Sequence, residues 1–268
     1  MSKHSADILK GATLLLAGHG SSRPGGDNPV HGHCETLRAT GAFAAVIEGY
    51  LKQAPLLGDV LGGIATGDLF VVPMLTGHGY ITDELIPGAL AQFGGGAHIH
   101  LCEPIGCHAG IPGLLANLVR SVVDKNGLIP GNVSALLAAH GNRENPQNAR
   151  QAKALAKAIG DKCDGVAVTA AFIEELPLIS DWPAQTDTEN LIILPFMIGG
   201  GRHGAEDVPA MVGLDPQHPA LATPGAGDPV AGPFRVQGRT IWYCRAVGHE
   251  PALAAMIIDL VKDALSSG

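Results

Sequence analysis

The sequence reads ALLAAHGNREN at residues 135–145 and LLLAGHGSSRP at residues 14–24. In both stretches an apolar run is followed by a small residue, a histidine and a glycine, and the two histidines, His19 and His140, are 121 residues apart. A short apolar run that ends in a glycine-containing turn is typical of a buried strand in a parallel sheet. The chain therefore contains an internal repeat, and each copy begins with such a strand.

Three further pairs of segments extend the repeat over most of the chain. They match residues 70–75 with 192–197, 46–48 with 172–174, and 102–119 with 244–261. The offsets are 122, 126 and 142 residues, so the second copy contains an insertion of about twenty residues before its last segment. Residues 214–234 are rich in Pro, Gly and Ala and are predicted to be this insertion, as a surface loop.

Both copies alternate short apolar runs with longer segments of helical periodicity, the pattern of βαβ units. In the second copy we predict strands at 133–138, 165–170, 190–196 and 240–244, and helices near 145–159, 174–182, 204–213 and 250–265. The predicted fold is α/β, with two tandem domains, 1–127 and 128–268, each a four-stranded parallel sheet flanked by helices. Ligands of such sheets bind beyond the carboxyl ends of the strands.

The composition argues against several classes of protein. Lys and Arg number 17 against 25 Asp and Glu, a net charge of −8 with no basic stripe, so we expect no nucleic-acid partner. No apolar run approaches the roughly 18 residues of a membrane span, so we expect no membrane partner. The 5 cysteines form no C-x-x-C pair, which favours a reducing cytoplasm over a disulfide framework. We expect a cytoplasmic monomer or homodimer.

Histidine is unusually frequent, with 12 residues in the chain. The candidate site residues follow predicted strands in both copies: His19, Glu48 and His78 in the first, and His140, Glu174 and His203 in the second. Two imidazoles and one carboxylate suit a divalent metal such as Co²⁺, Fe²⁺, Ni²⁺ or Zn²⁺. Taken singly, such residues are also explained as helix caps and as acidic groups that favour a helix N-terminus.

Other histidines have simpler interpretations. His31 and His33, beside Cys34, are either an auxiliary metal site or ordinary surface residues. His98 and His100 alternate along a predicted strand and therefore share one face, where we expect a structural role.

Several of these stretches resemble the class II tetrapyrrole chelatases, the sirohydrochlorin cobaltochelatases and ferrochelatases of cobalamin and sirohaem biosynthesis. The resemblance is carried by ALLAAHGNREN, AAFIEELP (170–177), ILPFMIGGGRHGAEDVP (193–209) and YCRAVGHEPALAAMI (243–257). It covers the whole chain as two tandem chelatase-like copies and is more specific in the second. It implies an enzyme that inserts Co²⁺, Fe²⁺ or Ni²⁺ into sirohydrochlorin or a related tetrapyrrole, with the metal as substrate and no organic cofactor.

The resemblance also implies residue roles. His140 and His203 resemble the metal-handling histidines of the family, and Glu174 resembles its acidic partner. In the first copy, His19 and Glu48 match the same pattern.

The first copy departs from the family pattern at MLTGHGYITDELIP (74–87). There, His78 comes three residues early and Ile81 stands where a histidine is expected. His78 remains a candidate metal ligand, but we predict that the second copy inserts the metal.

A tetrapyrrole of this class carries many carboxylates, which an acidic protein must bind through local donors. We expect Arg23, Arg143 and Arg202, near the strand ends, to bind them.

Two other functions are compatible with these residues. One is a carrier that binds metal or tetrapyrrole through the same histidines without turnover. The other is a metal-dependent hydrolase, which is disfavoured because the sequence has no nucleophile motif such as G-x-S-x-G.

Overall fold

A computed structural model of the chain describes residues 8–21, 28–64, 66–92, 96–199, 203–221 and 229–267. In chain order, the main elements are β1 Thr13–Gly18, α1 Pro29–Thr40, β2 Ala45–Tyr50, α2 Leu57–Gly62, β3 Thr66–Met74, α3 Ile86–Ala91, β4 Gly96–Leu101, α4 Ile111–Lys125, β5 Val133–Ala139, α5 Pro146–Gly160, β6 Ala167–Phe172, α6 Trp182–Gln185, β7 Asn190–Pro195, α7 Val208–Val212, β8 Val230–Val236, β9 Arg239–Cys244 and α8 Leu253–Ser267. Within these residues the strands form a four-stranded and a five-stranded sheet, and the predicted α/β class is confirmed.

The first sheet has the strand order β2-β1-β3-β4, and all of its pairings are parallel. Residues 14–17 of its central strand β1 are fully buried, as expected for a strand covered on both faces. On one face, Leu15, Leu69 and Val71 form a core with residues of α2 and α3. On the other, α8 contacts β3 and β4 and packs beside α1.

The second sheet has the order β6-β5-β7-β9-β8. Four of its strands are parallel, as predicted, and all seven residues of β5 are buried. The fifth strand, β8, pairs antiparallel with β9. The fully buried Trp182 packs in the core of this sheet and donates a hydrogen bond from Nε1 to the carbonyl of Val212.

The helix that follows the first strand of each sheet begins with the same two residues. Asn28 and Asn145 are N-caps whose side-chain oxygens accept a backbone N–H, and a proline, Pro29 or Pro146, occupies the first helical position. Asparagine supplies an acceptor to an otherwise unpaired N–H, and proline suits this position because it has no N–H to satisfy. Among the helices that the structure describes, none has the length and apolarity needed to cross a membrane.

The chain divides into two compact units that differ from the expected domains. Unit 1 comprises Met1–His108 with Glu250–Gly268, and unit 2 comprises Ala109–His249. The sequence repeat suggested a boundary between residues 127 and 128, which gives each copy the helix that follows its own last strand. In the structure, α4 packs on α5 and β7, so it belongs to unit 2, whereas α8 packs on the first sheet. Each unit therefore contains the last helix of the other copy.

Two local predictions are corrected by the structure. The predicted helix at 174–182 is a loop followed by a short 3₁₀ turn and the four-residue α6. Pro177 explains the loop, since the residue before a proline is disfavoured in the helical region. Pro183 is accommodated in the first turn of α6. The predicted surface loop 214–234 contains most of β8, because residues 230–236 pair with β9 as a sheet edge; residues 222–228 lie outside the described part.

A glycine allows close backbone approach after the last parallel strand of each sheet. A Cβ atom on Gly106 would lie 2.2 Å from the carbonyl oxygen of Thr76, and one on Gly248 would lie 1.9 Å from that of Ile198. Any larger residue would push the two segments apart. These contacts fix the loops that follow β3 and β7.

Candidate functional site in unit 2

Three of the predicted site residues lie at one edge of the second sheet. His140 directly follows β5, Glu174 comes two residues after β6, and His203 begins the helical turn that precedes α7, after β7. The strands β6, β5 and β7 are neighbours in the sheet. Their carboxyl ends therefore bring the three side chains, which we call the triad, to the region where parallel sheets bind ligands.

The triad side chains are close together and accessible. The rings of His140 and His203 have centroids 4.7 Å apart and are nearly perpendicular, at 88°. The Nδ1 atom of His140 lies 3.8 Å from Oε2 of Glu174. About half of each side chain is exposed, so a ligand can reach all three.

Hydrogen bonds orient both imidazoles in the same way. Nδ1 of His140 donates to the carbonyl of Gly141 at 2.9 Å, and Nδ1 of His203 donates to Oδ2 of Asp207 at 2.7 Å. In a neutral imidazole, a proton on Nδ1 places the lone pair on Nε2. A carboxylate or carbonyl bonded to the distal nitrogen is also the usual arrangement behind a metal-binding histidine.

The turn that carries His140 is held to the loop that carries Glu174. Gly141 has a φ of +75°, and a Cβ atom there would lie 2.9 Å from the side chains of Phe172 and Glu175. The next backbone N–H, of Asn142, donates to Oε1 of Glu175 at 2.7 Å. The turn therefore requires glycine, and Glu175 has a positioning contact that the sequence analysis missed.

Of the three arginines expected to bind substrate, Arg143 is described by the structure. Its Nε donates to the carbonyl of Glu174, so its guanidinium lies beside the triad. Arg23 and Arg202 lie outside the described residues.

The same backbone contacts occur in unit 1 with different side chains. Lys52 N–H donates to the carbonyl of His19 at 3.0 Å, as Glu174 N–H does to that of His140 at 3.1 Å. Ser21 N–H donates to Oε1 of Gln53, as Asn142 does to Glu175. The counterpart of Glu174 is therefore Lys52.

This equivalence corrects the match of Glu48 with Glu174. Glu48 lies within β2, its side chain is 14% exposed, and it accepts a hydrogen bond from the hydroxyl of Tyr50 at 2.9 Å. Its other oxygen is 2.8 Å from Nδ1 of His31. The repeat was misaligned here by four residues, because two short apolar runs that end in Ile-Glu look alike in sequence.

The contacts described do not bring His31, His33 and Cys34 together as ligands of one metal ion. His31 pairs with Glu48, whereas His33 and Cys34 are buried. Burial raises the pKa of the Cys34 thiol to about 12, so the thiol is neutral at physiological pH.

As the sequence spacing predicts, Ile81 and not His78 occupies the position equivalent to His203. Ile81 begins the helical turn before α3 as His203 begins the turn before α7, so it is the counterpart of His203. His78 lies apart from that position, with Nε2 2.8 Å from Oε2 of Glu103. Cys107 completes a cluster of possible ligands with His78 and Glu103. The counterpart set of the triad is thus His19, Lys52 and Ile81.

Asp207 is the main residue of the unit 2 site that the sequence analysis did not connect to its histidine. The signal was present in the spacing, because residues four apart on a helical turn face each other.

The fold and site define a two-copy parallel α/β protein with a possible site for a divalent metal in unit 2. The CbiX family model matches the chain twice, at residues 13–122 and 134–264. The chain belongs to the CbiX family, as two tandem copies. The expected chelatase family is thereby confirmed, and with it the expectation of a metal chelatase enzyme.

Individual relatives agree with this assignment. A probable sirohydrochlorin cobaltochelatase of Halobacterium salinarum is 28% identical over 94% of this chain and 91% of its own length. The structure of CbiX, described as the terminal enzyme of sirohaem biosynthesis in denitrifying bacteria, superposes with a TM-score of 0.67 at 21% identity, covering 95% of this chain and 99% of that one. DR2241 of Deinococcus radiodurans, a multi-domain protein with structural similarity to chelatases, superposes with a TM-score of 0.68 at 24% identity. The match covers 94% of this chain and 54% of that one.

Proposed function

We propose that this protein inserts a divalent metal ion into sirohydrochlorin or a related tetrapyrrole, and that the triad of unit 2 performs the insertion. The observation that carries the proposal is the perpendicular pair of imidazoles, 4.7 Å apart, with the carboxylate of Glu174 beside His140. Relatives named as sirohydrochlorin chelatases support the choice of substrate.

The imidazoles bind the incoming metal ion. Because Nδ1 of each ring is occupied as a donor, His140 and His203 bind the ion through Nε2. The carboxylate of Asp207 makes the imidazole of His203 a stronger donor and fixes its orientation. The site keeps other coordination positions for water and then for the tetrapyrrole nitrogens.

Glu174 accepts protons. Insertion of M²⁺ into the macrocycle releases two pyrrole N–H protons, so that the two positive charges of the metal ion are balanced by two deprotonated ring nitrogens. A carboxylate beside the metal can take them in turn and pass them to water, because half of its side chain is exposed. The reaction needs no nucleotide and no organic cofactor.

The arginines near the edge bind the carboxylates of the macrocycle. Arg143 has one N–H engaged with the carbonyl of Glu174 and can present its other donors to an anion. Arg23 and Arg202 are further candidates from the sequence. Local guanidinium groups would offset the overall charge of −8.

Insertion is assigned to unit 2 rather than unit 1. In unit 1, Lys52 holds the position of the carboxylate and Ile81 holds the position of the second imidazole, so the set equivalent to the triad contains one imidazole and no carboxylate. A cation at Lys52 would repel an incoming metal ion.

The ligand set of the triad is compatible with several metal ions. Two imidazoles and a carboxylate suit Co²⁺, Fe²⁺ and Ni²⁺ alike. We propose Co²⁺ as the preferred ion, because the relative in Halobacterium salinarum is named as a cobaltochelatase.

The test is an anaerobic assay in which sirohydrochlorin is mixed with Co²⁺, Fe²⁺ or Ni²⁺ and catalytic amounts of protein. We expect many turnovers per chain, followed by the absorbance change on metallation, and fastest with Co²⁺. Binding of one equivalent without acceleration would show a carrier instead.

A further inference from the structure

A second group of possible metal ligands lies in unit 1, away from the carboxyl ends of its strands. Asp68 is the third residue of β3, and His98 and His100 lie on the edge strand β4. We call these three residues the Asp68 cluster. It occupies the amino-terminal half of β3, whereas the counterpart set follows the carboxyl ends of the strands.

The register of the sheet explains why the three side chains meet. Asp68 pairs with His98, and Phe70 pairs with His100, in parallel alignment. Because side chains alternate between the faces of a strand, all four residues lie on one face, opposite the face that contains Leu69. Asp68 is therefore beside one histidine and diagonal to the other.

The carboxylate lies between the two imidazoles. Oδ1 of Asp68 is 2.9 Å from Nε2 of His100 and 3.3 Å from Nδ1 of His98. These separations are close to those between ligands of one ion, since metal–nitrogen bonds of about 2.0–2.1 Å place tetrahedral ligands roughly 3.3 Å apart. Three possible ligand atoms are thus gathered at this spacing, and the two imidazoles bind an ion through these nitrogens once the protons that they donate to Asp68 have moved to the other ring nitrogens.

One histidine of the cluster is fixed and the other is accessible. The ring of His100 is 16% exposed and stacks on Phe70, with centroids 4.4 Å apart and planes 11° from parallel. The ring of His98 is 77% exposed and meets His100 edge-on at 4.3 Å. The cluster has a rigid base and an open side.

Asp68 is an anion under ordinary conditions. The hydrogen bond with His100, and less strongly that with His98, holds the pKa of Asp68 below its usual value despite partial desolvation.

We propose that the Asp68 cluster is a second binding site for a divalent transition metal, held by two imidazole nitrogens and one carboxylate oxygen. Such a set suits Co²⁺, Ni²⁺, Fe²⁺ or Zn²⁺ and leaves the remaining positions to water. Because one side is open, the ion exchanges with solvent and the site holds metal reversibly. The proposal does not depend on the function proposed for unit 2.

The test counts bound metal ions on the full chain. Protein freed of metal by a chelator is dialysed against Co²⁺ without oxygen, and bound cobalt is measured for wild type, H98A/H100A and H140A/H203A. We expect H98A/H100A to bind one ion fewer than wild type and to lose one component of the cobalt d–d absorption. The H140A/H203A protein is expected to keep that component.

Single variants separate coordination from folding. We expect H98A, whose side chain is mostly exposed, and D68N to weaken this site at least about 10-fold while circular dichroism stays unchanged. H218A removes an imidazole that packs edge-on to Phe234, outside the cluster, and is expected to bind as wild type does. Equal stoichiometry and affinity in wild type and H98A/H100A would overturn the proposal, since the cluster would then be an ion pair that only fastens the edge strand.

Discussion

The carboxyl edges of the two sheets have the same backbone and different chemistry. Gly20 and Gly141 have φ values of +76° and +75°, and the N–H that follows each donates to a side-chain oxygen of the neighbouring loop. At these equivalent positions, unit 2 has two imidazoles and a carboxylate, whereas unit 1 has the imidazole of His19, the amine of Lys52 and the apolar side chain of Ile81. The comparison separates the residues that build the edge from those that can hold a metal ion.

The largest effect is expected at the second imidazole. We expect H203A to reduce the rate of metallation more than about 100-fold, because even changes behind a metal ligand cost 10- to 100-fold. The matched variant in unit 1, I81A, is expected to leave the rate within a factor of about two. Both rates come from the anaerobic sirohydrochlorin assay; a normal rate in H203A with a loss in I81A would reverse the assignment of the units.

The next effect is expected at the carboxylate. E174Q keeps the shape of the side chain but removes its ability to accept protons, so we expect kcat to fall about 100-fold. K52Q changes the equivalent position in unit 1 and is expected to leave kcat nearly unchanged. If K52Q loses as much activity as E174Q, the assignment of proton transfer to unit 2 alone is wrong.

A smaller effect is expected behind His203. D207N keeps a polar group at Nδ1 but removes the charge, and we expect the affinity for Co²⁺ at the triad to fall about 10-fold. Leu85 holds the matching position of unit 1, so L85N serves as the control. Cobalt titration followed by d–d absorption measures both. An unchanged affinity in D207N would mean that the carboxylate only caps the turn.

The smallest effect is expected at Gly20 and Gly141, the glycines that occupy equivalent turns in the two units. G141A and G20A each force a Cβ atom into a left-handed turn against the neighbouring loop, which we expect to cost about 1–3 kcal/mol of unfolding free energy. Urea unfolding of both variants tests the shared frame directly. A large loss in one and none in the other would contradict it.

Much of the fold was predictable because apolar runs at a constant offset specify buried strands, and strand ends specify the edge of a parallel sheet. His140, Glu174 and His203 were found in this way, and the structure brings them together. The match of Glu48 with Glu174 is wrong because it relied on local similarity, whereas the equivalence depends on which carbonyl each N–H contacts. Only the structure shows Lys52 at that position.

Other features depend on how strands and helices pack against each other, which the sequence of a single strand or helix does not specify. His98 and His100 were placed on one face correctly, but their contact with Asp68 requires the register between β3 and β4. Helical periodicity located α8 without indicating which of the two sheets it covers. Strand β8 was missed because its glycine and proline content resembles a loop.

The exchange of α4 and α8 sets the order in which the protein can fold during synthesis. Unit 2 is one continuous stretch, Ala109–His249, so it is complete once that stretch has left the ribosome. Unit 1 must wait for residues 250–268, which at about 5–20 residues per second emerge roughly 10–30 s after its sheet. During that time, the surface of β3 and β4 that α8 later covers is exposed, so the nascent chain is most vulnerable to aggregation in the part that was made first.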